Sequence, residues 1–172
     1  EVTRVVEIEG ANSPRFSQAI FPSLSAELLA PHREWLVPHF IEPETDKLMM
    51  SIHCFVVRTR HHTILVDTCV GNDKARGMKI WHLRQGPFLE DLAKAGVRPD
   101  EVDYVLCTHL HVDHVGWNTR LVNGRWVPTF PKAKYLFART EWEYWKDHQA
   151  DDAGDPIGDS VRPVVDADLG EL

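Results

Sequence analysis

Residues 107–117 read Cys-Thr-His-Leu-His-Val-Asp-His-Val-Gly-Trp, and four of them, His109, His111, Asp113 and His114, carry side chains that ligate metals. In an extended segment side chains two apart share one side, so His109 and His111 can grip one ion. Asp113 and His114 are adjacent, point away from that pair, and can begin a second site. Imidazole with carboxylate suits zinc first, with iron and manganese as the other ions this donor set accepts, and it disfavours a purely structural zinc site of the Cys type. A centre this open leaves coordination positions for water, which a divalent ion acidifies toward pKa ~7. The remaining histidines read as structural or solvated: His61 and His62 in a turn, His53 within a strand, and His32, His39 and His82 in loops.

The motif needs elements to hold it. Val2–Glu9 is rich in β-branched residues and reads as a strand. Ala11–Pro43 carries five prolines, which read as breakers of regular structure, so a long ordered loop is expected with one short helix near Ser25–Leu29. Leu48–Thr59 and Thr63–Asp67 flank Arg60-His61-His62 as a hairpin. Pro87–Ala95 has helical spacing and ends at Gly96. Val102–Cys107 is a short buried strand running straight into the motif. Residues 121–127 form a second hairpin about Asn123-Gly124, Lys134–Ala138 a further strand, and Thr140 caps a helix to about His148 with Glu143 as its capping-box partner. Asp151–Ser160 reads as an acidic, turn-rich solvated loop rather than a calcium site, because its spacing is not that of an EF-hand. This order predicts a mixed α/β layered fold forming one domain over residues 1–172.

Composition narrows the classes of function. A formal net charge of −7 argues against nucleic acid as a partner. No apolar run approaches the ~20 residues that span a bilayer, so no membrane association is expected. Cys54, Cys69 and Cys107 are widely spaced and odd in number, which suits buried free thiols in a reducing compartment and hence the cytoplasm. The opening EVTRVVEIEG has no signal-peptide pattern, and a leader removed before Glu1 stays an open alternative.

His109-Leu110-His111-Val112-Asp113-His114 followed by Val115-Gly116 resembles the HxHxDHxG motif of the metallo-β-lactamase superfamily. The likeness in motifs and element order runs over roughly Lys47–His148. It implies an αββα sandwich with two divalent metal ions between its sheets. His109 and His111 would bind the first ion, Asp113 and His114 the second. Asp67, ending the strand before the motif, would orient a ligand histidine from behind. The family's further ligands, downstream histidines and a bridging aspartate, have no counterpart here: His148 is the only histidine after His114. The expectation is therefore that the chain supplies roughly the first half of the fold and is inactive alone. Its metals would then be absent unless a second fragment completes the site. An apolar edge left uncovered would favour homo-oligomers or aggregation.

His-Val-Gly-Trp-Asn, the Thr68–Lys74 stretch and Phe130–Trp145 resemble the branch holding lactonases and methyl-parathion-hydrolase-like enzymes. That branch implies a hydrolase opening lactone or ester bonds of a small apolar-tailed substrate through a metal-bound hydroxide, which Asp113 would help to place. Phe21, Trp81 and Trp117 are the candidate walls of the substrate pocket. Phosphotriester or β-lactam hydrolysis, an iron-containing redox member, and a non-enzymatic interaction domain are the alternatives.

Overall fold

Val2, Val5, Val6 and Ile8 draw the chain's start into strand β1 (Val2–Ala11), the first element of a computed structural model that describes residues 1–148 and 154–172. Two compact units are present, residues 1–7 with 52–172 and residues 8–51.

Residues 8–51 are more helical than their prolines suggest. Ser13 caps α1 (Pro14–Ile20) by accepting from the Phe16 amide, and Ser25 caps α2 (Ala26–Leu29) in the same way through Leu28. A 3₁₀ turn over Ala30–His32 leads into α3 (Arg33–Leu36). The expected long loop is thus corrected to three short helices. Pro14 and Pro31 sit in the first turn of their elements, where the missing N–H is not needed and the fixed φ favours entry.

The larger unit holds a sheet in the order β1-β2-β3-β4-β7-β8. Strand β2 (Met49–Arg58) turns back into β3 (Thr63–Val66), giving the expected hairpin. Helix α4 (Phe88–Lys94) follows, with Gly96 at φ +77° just past its end. Strand β4 (Tyr104–Leu106) lies parallel to β3 with Val66 opposite Leu106. The motif chain continues into α5 (Val112–Val115), so Asp113 and His114 sit on one helical turn rather than in an extended loop. The hairpin of β5 (Thr119–Val122) and β6 (Arg125–Pro128) turns at Asn123 and Gly124, both at positive φ. Strand β7 (Lys134–Leu136) is parallel to β4.

Helix α6 (Arg139–Trp145) begins two residues earlier than expected, with Ala138 rather than Thr140 at its N-cap and no side-chain cap bond. The acidic tail is corrected more strongly. Part of it, residues 151–153, lies outside the described residues, but Ile157–Val161 forms a π-helical turn leading into α7 (Arg162–Asp166). Ile157, Val161 and Val164 are buried there, and β8 (Gly170–Glu171) closes the sheet beside β7.

One face of the sheet is packed: Cys54, Val56, Leu65, Val105 and Tyr135 all belong to the core. On the other face Phe55, Val66, Leu106 and Leu136 stand in one row across four strands, with Phe55 and Leu106 nearly 40% exposed (39% and 38%). An apolar row of this length is suited to a covering layer. All three cysteines are free and buried. Among the described residues no helix is long and apolar enough to cross a membrane.

The corrected tail anchors a buried charge cluster. Lys74 is fully buried, donates to the Thr119 hydroxyl (2.8 Å) and the Asp159 carbonyl (3.0 Å), and lies 3.7 Å above the Trp126 ring. Arg76 forms a fork with the Asp159 carboxylate at 2.6 and 3.1 Å. Burial lowers the Lys74 pKa to about 7 against the attraction of Asp159, with Arg76 adding to the fall. The unfolded chain keeps this lysine protonated up to about pH 10, so between pH 7 and 8.5 it binds more protons than the folded state, and stability rises with pH. The three buried thiols, all pushed up by burial, oppose this as thiols of the unfolded chain ionise toward pH ~8.5, and Lys74→Met shares that opposition. Wild type should therefore gain about 1.5 kcal/mol in urea unfolding relative to Lys74→Met from pH 7 to 8.5. An equal pH slope in the two proteins over this window contradicts the assignment.

Candidate metal centre

Parallel pairing of β3 with β4 brings two strand ends out side by side, the place where sites gather in α/β sheets. The Asp67 amide donates to the Leu106 carbonyl (2.9 Å), and Asp67 then takes φ +57°. Cys69, at +54°, and Asp73, at +64°, share this left-handed region, which non-glycine residues occupy only where the surroundings enforce it. The Asp67 carboxylate accepts from the Thr108 amide (2.8 Å), from the Thr108 hydroxyl (2.8 and 3.0 Å to its two oxygens), and from His114 Nδ1 (2.9 Å).

These bonds set the protonation of the whole loop. Asp67 can only accept, so the Thr108 hydroxyl proton and the His114 Nδ1 proton both point at it. The Thr108 oxygen is then free to accept from His109 Nδ1 at 3.1 Å. His109 Nε2 in turn accepts from His111 Nδ1 at 3.0 Å. One proton order satisfies every contact, and it leaves Nε2 as the lone-pair nitrogen on all three histidines.

Charge follows the same pattern. Burial raises Asp67, but the bonds from His114 and Thr108 outweigh it and hold the carboxyl below the usual carboxylate range. Burial also opposes protonation of His114; its bond to Asp67 and the charges of Asp113 and Asp67 prevail and raise it. Burial, then the neighbouring His114 and His111, lowers His109 and favours its neutral, ligating form.

The surrounding frame is tight. The Leu110 amide donates to Glu141 (3.0 Å), and the Trp145 indole donates to the same oxygen (3.3 Å) while its ring meets His111 edge-on. On the other side the Thr68–Gly71 segment crosses the end of α5. Thr68 N–H donates to the His114 carbonyl, Gly116 N–H to Cys69, and Trp117 N–H to Thr68, all at 2.7–2.8 Å. The Thr68 hydroxyl donates to buried Asn118, whose amide reaches Cys107 Sγ. Glu7 accepts from the Val70 amide and the Trp117 indole, both at 2.7 Å, and its burial raises its pKa against those two bonds.

The structure brings His109, His111, Asp113, His114 and Asp67 together. The ring centroids of His109 and His114 are 3.9 Å apart, and His114 Nε2 lies 3.6 Å from Asp113. Trp117 is in the core, stacked on Phe88 at 5.5 Å, and Trp81 is also buried. Phe21 is half-exposed and belongs to the smaller unit. Glu141, Glu7 and Asn118 were not singled out by spacing, because each reaches the loop through the fold alone. The donor types and the lone-pair assignment fit a divalent metal. The geometry assembles donors in pairs, and among the described residues no three of His, Cys, Asp and Glu converge to hold an ion.

Residues 50–172 match the family model of the metallo-beta-lactamase superfamily, and the chain belongs to that superfamily. An N-acyl homoserine lactonase of Bacillus cereus is 27% identical over 112 residues, 58% of this chain and 44% of that protein. A crystal structure of a hydrolase in the beta lactamase superfamily superposes with a TM-score of 0.69 at 22% identity, over 98% of this chain and 56% of that one. A dizinc quorum-quenching lactonase, solved with a product, gives 0.60 at 23% identity, over 86% of this chain and 44% of that one. At these identities the solved structures speak for the shared fold. The chain spans about half the length of the curated relatives it matches.

Proposed function

We propose that this chain carries the first half of the active site of a metal-dependent hydrolase that opens lactone or ester bonds of a small, apolar-tailed substrate. The observation that carries this reading is the Asp67-ordered trio of histidines at the ends of two parallel strands. It is supported by family membership and by relatives named as lactonases.

His109, His111, Asp113 and His114 are the residues that would hold the metal ions, most readily zinc. When bound, such ions supply an acidified water and polarise a carbonyl oxygen. The chain's own contribution is orientation. Asp67 keeps the proton on Nδ1 of His114 and, through the Thr108 hydroxyl, on Nδ1 of His109. That leaves the lone pair on each Nε2, unengaged by these bonds at His114 and accepting from His111 Nδ1 at His109. Glu141 fixes the backbone between His109 and His111. Asp113, 3.6 Å from the Nε2 of His114, would help to place the attacking hydroxide.

A substrate panel tests this on the protein at its full natural length, loaded with zinc and then stripped by chelator. Ring opening of N-acyl lactones or aryl esters that vanishes on stripping and returns with metal is the expected outcome. Turnover of phosphotriesters or β-lactams alone would replace the lactone reading. No hydrolysis of any ester, with metal bound, would overturn it.

A further inference from the structure

The smaller unit contains a cavity of about 520 Å³, formed wholly by residues between Pro14 and Leu48. That is within the ~300–1,000 Å³ usual for small-molecule pockets. Its walls include Pro14, Leu24, Leu29, Ile41 and Leu48, an apolar lining drawn from α1, α2 and the chain leading into β2.

One polar group in this lining is unexplained. Ser17 is 7% exposed, lines the cavity, and its hydroxyl has no hydrogen-bond partner. A helical serine ordinarily satisfies itself on the carbonyl of the preceding turn or in water. Leaving it buried and unpaired is a standing cost to the fold, and such groups point to a missing partner. The charge of the lining favours an acceptor with negative charge. Arg33 and Lys47 line the cavity with Asp46 as the one acidic residue among them. Asp46 is taken by Arg33, and Lys47 is in no ion pair among the described residues.

We infer that this cavity binds a medium-chain monocarboxylate, its apolar tail against Leu24, Leu29, Ile41 and Leu48 and its carboxylate accepting from the Ser17 hydroxyl. Lys47 supplies the compensating charge at the same site. The site is separate in its residues from the histidine loop, and its test involves no turnover, so its failure and that of the hydrolase reading are distinct results.

Titration calorimetry of the 172-residue chain with octanoate, with 1-octanol as the uncharged probe of equal tail length, decides the matter. Saturable binding of one octanoate per chain, tighter than 1-octanol, is expected. Ser17→Ala should weaken octanoate about tenfold, as for loss of a hydrogen bond to a charged group. The same substitution should raise the melting temperature of the ligand-free chain, because it removes an unpaired buried hydroxyl. A merely structural serine would lose stability instead. Leu29→Trp, filling the cavity, should abolish binding. Heats without saturation, equal affinity for 1-octanol, an unchanged affinity in Ser17→Ala, or a lowered melting temperature in that variant each overturn the proposal.

Discussion

Gly116→Ala should cost about 3 kcal/mol of unfolding free energy, with the urea m-value unchanged. A Cβ built on Gly116 falls 1.9 Å from the Val70 carbonyl oxygen, 2.0 Å from its carbon and 2.5 Å from the Gly71 nitrogen. All three are backbone atoms, held by the short bonds that Thr68–Gly71 makes across the end of α5, so no side chain can swing aside. The backbone of Gly116 itself is ordinary helix at φ −57°, where alanine is intrinsically preferred, so the whole penalty is steric. Gly116 thus lets the Thr68–Gly71 segment lie directly on the end of helix α5. Gly124→Ala is the informative contrast. Its Cβ would meet nothing within 4 Å, and only φ +75° opposes it, for about 1 kcal/mol. Equilibrium urea unfolding of the two variants, side by side, checks the ordering. A Gly116→Ala protein within 1 kcal/mol of wild type would mean that the crossing is looser than drawn.

What could be read from the sequence followed the range of the interaction. The spacing of the candidate donors in His109–His114 is local, and so are the two hairpins, whose turns sit where Arg60-His61-His62 and Asn123-Gly124 predict. The N-terminal helices were hidden because proline was read as a breaker, whereas Pro14 and Pro31 occupy first-turn positions. The tail misled through its Asp, Gly and Pro content. Yet Ile157, Val161 and Val164 have helical spacing, and that stripe was the legible signal. Glu141 and Glu7 hold the site from 31 and 63 residues away from the amides they bind, distances at which no spacing rule operates. Asp67 lies between these cases. Its pairing with His114 across 47 residues depends on parallel strand register and was approached only through family likeness.

Asp67→Asn should weaken zinc binding by about 10–100-fold while leaving the fold intact. Asparagine keeps the size of aspartate and tolerates φ +57°, so the substitution isolates the loss of an acceptor-only group from backbone strain. Its amide nitrogen is a donor, and one of the positions it can take faces His114 Nδ1 at the 2.9 Å contact. His114 then has reason to carry its proton on Nε2, the nitrogen needed for a metal. If the amide oxygen faces His114 instead, the amide nitrogen turns on the Thr108 amide and hydroxyl, which lose an acceptor for one proton or the other. Either way the proton order running through Thr108 to His109 and His111 loses the group that fixes its direction. The negative charge that raises His114 also goes, so His114 should titrate lower in the metal-free variant than in wild type. Zinc competition against a chromophoric chelator reads the affinity, and histidine nitrogen shifts in NMR spectra of the metal-free protein read the tautomers. Asp67→Asn with wild-type zinc affinity and His114 still protonated on Nδ1 would show that the loop orders its own protons. Loss of affinity together with a switch to Nε2–H would place the origin of the ligating geometry just past the end of strand β3, outside the His109–His114 motif.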